Sequence, residues 1–368
     1  MRNAFDKMSK QERCTANFAR IYKAEFEPQA ITEMDITPDW NNPDAKALKP
    51  DGSTRMATSA DTILNEVSVY YKHLFDEKET TTAGRQLAYS LLRTSCIDEG
   101  SAARCGAPFT IKEVRATCKK TARRKAPGPD ELPGEIYRSF LNLLAPKILE
   151  VLNEARTSGK LPPSFMQGQI CILYKKGARS DIRNYRPITL LNADYKLYTK
   201  MLADRMKATC HQFTDPAQTG FAPWRFISET THHTKLIQQY LDNTNRPGAF
   251  VFLDMEKAFD RVSWKFLLNG LRSLGYDEDF ITMVRMMYDT RDPPQRRIIV
   301  NGKTGQWFPI RSGVAQGCPL SPLLFLVCAE VIIRRAKKNL KGINVEGVRY
   351  QVSAFADDTL LTNDRREA

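Results

Sequence analysis

Ala249–Phe250–Val251–Phe252–Leu253–Asp254 is the stretch on which the fold turns. It is apolar at every position until the aspartate, the pattern of a central strand buried on both faces, and it delivers one carboxylate at the strand's end. A second acidic site follows far downstream, where Tyr350–Ala356 and Thr359–Thr362 read as two strands around Asp357–Asp358. If these strands share a sheet, three carboxylates converge at one edge. Like charges so placed repel and raise one another's pKa. A divalent cation relieves that cost, and two metals held by shared carboxylates are a recurring device for nucleotidyl transfer. Mg²⁺ suits such a site because it takes few carboxylates and fills its other positions with phosphate oxygens and water.

The segment between the two acidic sites supplies a hairpin and a helix. Arg297–Val300 and Gln306–Ile310 flank Asn301–Gly302, a strong hairpin signal. Ser321–Pro322 opens a long helix, with Ser as N-cap and Pro at the first helical position. Leu323–Ile333 is the most apolar stretch; it is about half a membrane span and holds Glu330, so it reads as a buried helix. The basic residues after it, from Arg334 to Lys341, suit the negative end of the helix dipole.

Upstream, Ala193–Ala208 and Ser228–Leu241 read as helices and Gln169–Tyr174 as a strand. Thr110 followed by Glu113 resembles a capping box opening a helix toward Arg124. The basic run Lys119–Lys125 leads into a tight turn at Ala126–Pro133. Residues 1–109 are expected to form a separate helical and linker region of unknown role. Within it Gln11–Phe26 reads as a helix, Thr37–Arg55 as linker, Asp61–Phe75 as a helix with Ile63, Leu64, Val67, Tyr70, Tyr71 and Leu74 on one side, and Gly100–Pro108 as a break.

Composition bounds the function classes. The chain has 368 residues and a formal net charge of +13, which favours a polyanionic partner such as nucleic acid. None of its eight cysteines forms a CxxC pair, so no zinc site is read. The first thirty residues or so carry no apolar run between charges; no signal peptide is expected, no membrane partner, and an intracellular setting, nucleus or cytoplasm, is the default.

Six motifs in order make the chain resemble the reverse transcriptases of non-LTR (LINE-type) retrotransposons from about Phe109 onward. APGPDELPGEIY (Ala126–Tyr137) is similar to the family's N-terminal extension motif, and NYRPITLLN (Asn184–Asn192) to its second fingers motif. QTGF (Gln218–Phe221) opens a further block. FLDMEKAFD (Phe252–Asp260), GVAQGCPLSPLLF (Gly313–Phe325) and FADD (Phe355–Asp358) are similar to motifs A, B and C. A group II intron maturase also carries a FADD-like box; QTGF and APGPDELP favour the retrotransposon side.

The resemblance implies an α+β right-hand polymerase with an antiparallel palm sheet and helices on one face. Fingers and N-terminal extension would occupy 110–250 and the palm 251–368. It implies RNA-directed DNA polymerase activity with an RNA template, a DNA primer or target, dNTPs and two Mg²⁺ ions, or Mn²⁺ in their place. Asp254, Asp357 and Asp358 would be the catalytic carboxylates, with the carbonyl of Met255 as a further metal ligand. Lys175 and Arg186 would contact the triphosphate, with Lys176 and Arg183 as neighbours able to serve instead. Phe259 would be the steric gate that excludes a 2′-hydroxyl, and Gln316–Gly317 would pack on the templating base and nucleotide.

Three positions depart from the family pattern. Trp224 and Glu131 stand where the family has glycine, and Phe226 where a small polar residue is usual. A bulky residue replacing a turn glycine strains the backbone if positive φ is needed there. Only ten residues follow Asp358, so a thumb is expected to be absent, and a catalytically inactive remnant that binds nucleic acid is the competing reading. Template, target site and oligomeric state are not legible in the sequence.

Overall fold

The computed structural model describes residues 30–37, 39–40, 47–48, 53–77 and 81–364. Eleven α-helices are found among them: α1 (Ala60–Leu74), α2 (Thr82–Leu92), α3 (Glu99–Gly106), α4 (Ile111–Lys119), α5 (Glu135–Ser139), α6 (Leu141–Ser158), α7 (Ala193–Thr209), α8 (Ile227–Thr244), α9 (Trp264–Ser273), α10 (Glu278–Arg285) and α11 (Ser321–Asn339). The strands are β1 (Met34–Asp35), β2 (Met56–Ala57), β3 (Gln167–Tyr174), β4 (Tyr185–Leu191), β5 (Gly248–Leu253), β6 (Gln295–Val300), β7 (Lys303–Thr304), β8 (Phe308–Pro309), β9 (Ile343–Val345), β10 (Val348–Tyr350), β11 (Val352–Phe355) and β12 (Asp358–Asp364).

Two sheets matter for function. The first runs β4-β3-β6-β7, with β8 also on β6; β3 and β4 are antiparallel and β3 and β6 parallel. It therefore takes β6 from beyond residue 250, so the sheet is not built from 110–250 alone. The second is antiparallel, in the order β11-β12-β5, with Phe355 opposite Asp358 and Thr359 opposite Leu253. Helices α8 and α11 pack beside β11, and Ile333 of α11 forms a small core with Val352 and Ala354.

The expectation of a doubly buried strand at 249–253 is overturned. β5 is the outer strand of its sheet; Val251 and Leu253 are exposed, and Phe252 is 76% exposed. Unbroken apolarity is compatible with such an edge because nothing in the local sequence states what lies against either face.

Several helices form for local reasons. The Thr110–Glu113 capping box is present, and α4 ends at Lys119 rather than reaching toward Arg124. The predicted break at Gly100–Pro108 is instead α3, opened by Asp98 accepting from Ser101 N–H. Ser321 is the first residue of α11, with Leu320 as N-cap, so the expected serine cap is displaced by one position. Asn301 and Gly302 both have positive φ, which suits a tight hairpin, but the returning strand is divided into β7 and β8.

The described residues between 57 and 109 contribute to the main core rather than packing apart from it. Ile63, Tyr71, Leu92, Cys105 and Phe109 join the main core with Leu271, Ile298 and Leu324. Arg334 on α11 does more than complement a dipole: buried beside Glu330, it donates to the carbonyls of Leu91, Leu92 and Phe213. Gln11–Phe26 lies outside the described residues.

Candidate active site

β3 and β4 present cations, and β5 and the β11–β12 turn present carboxylates, to one cleft of about 490 Å³. Leu173 pairs with Arg186 across β3 and β4, and Lys175 N–H donates to Asn184 C=O at 2.8 Å, so Lys175 and Arg186 are held on adjacent strands. Both line the cleft. Arg183 lines it too but is engaged with Asp181 at 2.8 Å. Asp254, Met255 and Asp357 line the same cleft. Phe259, Gln316 and Gly317 complete the wall. Asp358 opens β12, is exposed, and does not line the cleft.

Electrostatics couples the two acidic segments. Burial first, then the charges of Asp358 and Asp254, raises the Asp357 carboxyl above the ordinary carboxylate range, while Lys175 opposes them. Among the described residues no group of three or more His, Cys, Asp and Glu side chains could by itself hold a metal ion. Two carboxylates, Asp254 and Asp357, do share the cleft wall, and their mutual repulsion is the chemistry a divalent cation relieves.

Phe259 has a double position. It lines the cleft, and it also stacks on Phe325 at 4.7 Å and meets Phe221 edge-on at 5.9 Å. Phe259 is thus both a cleft-lining residue and part of an aromatic cluster with Phe221 and Phe325.

Several cleft residues carried no sequence expectation. Lys257 has φ +53 and sends Nζ back to the carbonyls of Arg183 and Tyr185 at 2.9 and 2.7 Å, tying motif A to the fingers sheet. Burial lowers its pKa. Asp260 is buried beneath the cleft and accepts from Gln316 Nε2 at 3.2 Å. Burial pushes its carboxyl up to about 7, against the pull of Lys257 and Gln316. Gln316 C=O accepts from Thr189 N–H at 2.8 Å, and a Cβ on Gly317 would overlap the Thr189 carbonyl oxygen. That close approach explains the glycine. Their place within motif A was the available signal for Lys257 and Asp260; the contacts are long-range.

Two of the three departures, Trp224 and Glu131, carry strain, while Phe226 at φ −130 is in ordinary extended backbone. Trp224 has φ +63 and Glu131 φ +59, and Trp224 is 92% exposed. Among the described residues no helix is long and apolar enough to cross a membrane.

Comparison with known proteins gives the family. Residues 173–368 match the family described as reverse transcriptase (RNA-dependent DNA polymerase). The chain is 30% identical to the transposon TX1 uncharacterized 149 kDa protein of Xenopus laevis, over 72% of this chain and 20% of that protein. It is 27% identical to the retrovirus-related Pol polyprotein from type-1 retrotransposable element R2 of Nasonia vitripennis, over 70% of this chain and 24% of the relative. With the RNA-directed DNA polymerase from mobile element jockey of Drosophila melanogaster it shares 26% identity, over 68% and 27%. The chain thus spans about a fifth to a quarter of the length of these relatives. With five of its six motifs contributing to one cleft and its match to the family, the chain belongs to the reverse transcriptases, on their non-LTR, LINE-type branch.

Proposed function

We propose that this chain is the fingers-and-palm part of an RNA-directed DNA polymerase that adds dNTPs to a primer 3′-hydroxyl on an RNA template. One observation carries the reading: cations from one sheet and carboxylates from the other line a single nucleotide-sized cleft. Lys175 and Arg186 supply positive charge for a triphosphate, the arginine by its bidentate fork. Asp254 and Asp357 would hold the divalent cation that reverse transcriptases as a family use, with the Met255 carbonyl as a further ligand; Asp358, outside the cleft, would act through its charge on Asp357. Mg²⁺ or Mn²⁺ there supplies charge neutralisation of the leaving phosphate and acidifies the attacking hydroxyl. Phe259 closes the sugar side, where a 2′-hydroxyl would meet the ring. Gln316, fixed by Asp260 and Thr189, and Gly317 border the nucleotide.

In this reading residues 110–250 hold the N-terminal extension and most of the fingers, 251–368 the palm, and 1–109 a region of unassigned role whose described helices buttress the palm. The net charge of +13 suits a template and primer. Extension of a DNA primer on an RNA template in Mg²⁺ tests the proposal. Synthesis that disappears in Asp357→Asn supports it. Salt-sensitive nucleic-acid binding without any synthesis supports the inactive remnant instead.

A further inference from the structure

We infer that Gln218 is a positioning residue for the carboxylate turn: its side-chain amide clamps Ala356 and so sets the direction in which Asp357 enters the cleft. The inference rests on the reading of Asp357 as a metal-binding carboxylate.

The turn itself asks for help. Phe355 pairs with Asp358, so the loop between β11 and β12 is two residues long, Ala356 and Asp357. Ala356 has φ +58. A two-residue loop with positive φ at its first position favours glycine there, and a left-handed alanine costs about 1–2 kcal/mol. The residue before a catalytic carboxylate thus holds a conformation its own side chain disfavours.

Gln218 satisfies both backbone groups of that alanine. Its Oε1 accepts from Ala356 N–H at 2.8 Å, and its Nε2 donates to Ala356 C=O at 3.1 Å. The same Oε1 accepts from Gly220 N–H at 2.9 Å, so the amide is fixed from its own segment as well. The side chain is fully buried. The main chain adds to the brace: Ala354 N–H donates to Ala217 C=O and Thr219 N–H to Ala354 C=O, each at 2.8 Å. Gly220 packs so closely on the turn that a Cβ would overlap the Ala356 nitrogen. The next residue, Phe221, has φ +59 and reaches Phe259. QTGF therefore braces the acidic turn with its first residue and the gate ring with its last.

A buried glutamine that served only general stability would cost folding free energy when replaced and leave the metal site of folded molecules unchanged. The positional role makes a different prediction. Free Mn²⁺ in solution is followed by electron paramagnetic resonance as the whole chain is titrated, which reads metal affinity without turnover. Thermal melts confirm that each variant is folded. Gln218→Met should weaken Mn²⁺ affinity about tenfold, the effect expected when an orienting partner behind a ligand is lost. Gln218→Glu keeps an acceptor and loses the donor, so it should fall between Met and wild type. Adding Ala356→Gly to Gln218→Met lets the positive-φ turn form unaided, and affinity should recover to within about threefold of wild type. This rescue also serves if Gln218→Met alone does not fold. A folded Gln218→Met with wild-type affinity overturns the inference while Asp357→Asn still loses binding. If wild type binds Mn²⁺ no better than Asp357→Asn, the carboxylate reading falls first and the brace with it.

Discussion

The two sheets are written in similar apolar residues and bury them differently. In the cation-bearing sheet burial alternates along β6 and β4, and Ile170 and Ile298 are fully enclosed. In the carboxylate-bearing sheet the outer strand β5 leaves Val251 and Phe252 open. The difference teaches that strand composition reports a preference for a pleat, while position in the sheet decides what is covered. It also divides labour: the enclosed sheet offers rigid cations on β3 and β4, and the open one offers carboxylates at strand ends.

The largest test of that division is kinetic. Asp357→Asn should lower kcat for primer extension by at least about 10²-fold, since it removes charge stabilisation at the reacting phosphate. Arg186→Ala should act mainly through the KM for dNTP, raising it about tenfold. Equal kcat losses from both would break the assignment of chemistry to one sheet and substrate binding to the other.

Stability sharpens the same contrast. Ile170→Ala should cost about 2–5 kcal/mol in urea melts, as for other fully buried truncations. Phe252→Ser should stay within about 0.5 kcal/mol, as for exposed positions. A core-sized loss at Phe252 would mean that β5 is covered in solution.

Asp260 lies where the two sheets are joined through motifs A and B. Its raised pKa, about 7, means that the folded chain keeps a proton which the unfolded chain has released. Its contribution to stability therefore falls as pH rises from about 4 through about 7 and is flat above. Asp260→Asn should remove that slope. Between pH 5 and pH 8 the wild type should lose roughly 2–4 kcal/mol relative to the variant. Parallel slopes would show that Asp260 ionises without penalty.

The smallest effect concerns strain. Trp224→Gly should stabilise the chain by about 1 kcal/mol, because an exposed tryptophan with positive φ gives up little packing on removal. A loss on substitution would reveal an unseen role for the ring.

Much of this was legible in the sequence. Apolar periodicity located α1 and α7, and the capping pair Thr110–Glu113 located the start of α4. Trp224 and Glu131 were readable as strained because glycine is the residue their turns favour. Motif order brought Lys175, Arg186, Asp254, Phe259, Gln316 and Asp357 to one cleft. What stayed hidden was long-range. The exposure of β5, the parallel β3–β6 pairing and the Lys257 and Gln218 hydrogen bonds all depend on partners distant in the chain. The helix at Glu99–Gly106 was missed for another reason: two glycines outweighed a good aspartate cap.

The clamp at Ala356 also has a place in time. Gln218 and Ala356 are separated by 138 residues, so their contact closes a long loop and belongs among the slow, late events of folding. During synthesis the QTGF segment emerges well before its partner. Until the β11–β12 hairpin arrives, Gln218 has only its local bond with Gly220 N–H, and its Nε2 lacks the Ala356 carbonyl. Assembly of the acidic turn is then a checkpoint: a chain that presents Asp357 to the cleft through this clamp is one whose middle and end have already found each other.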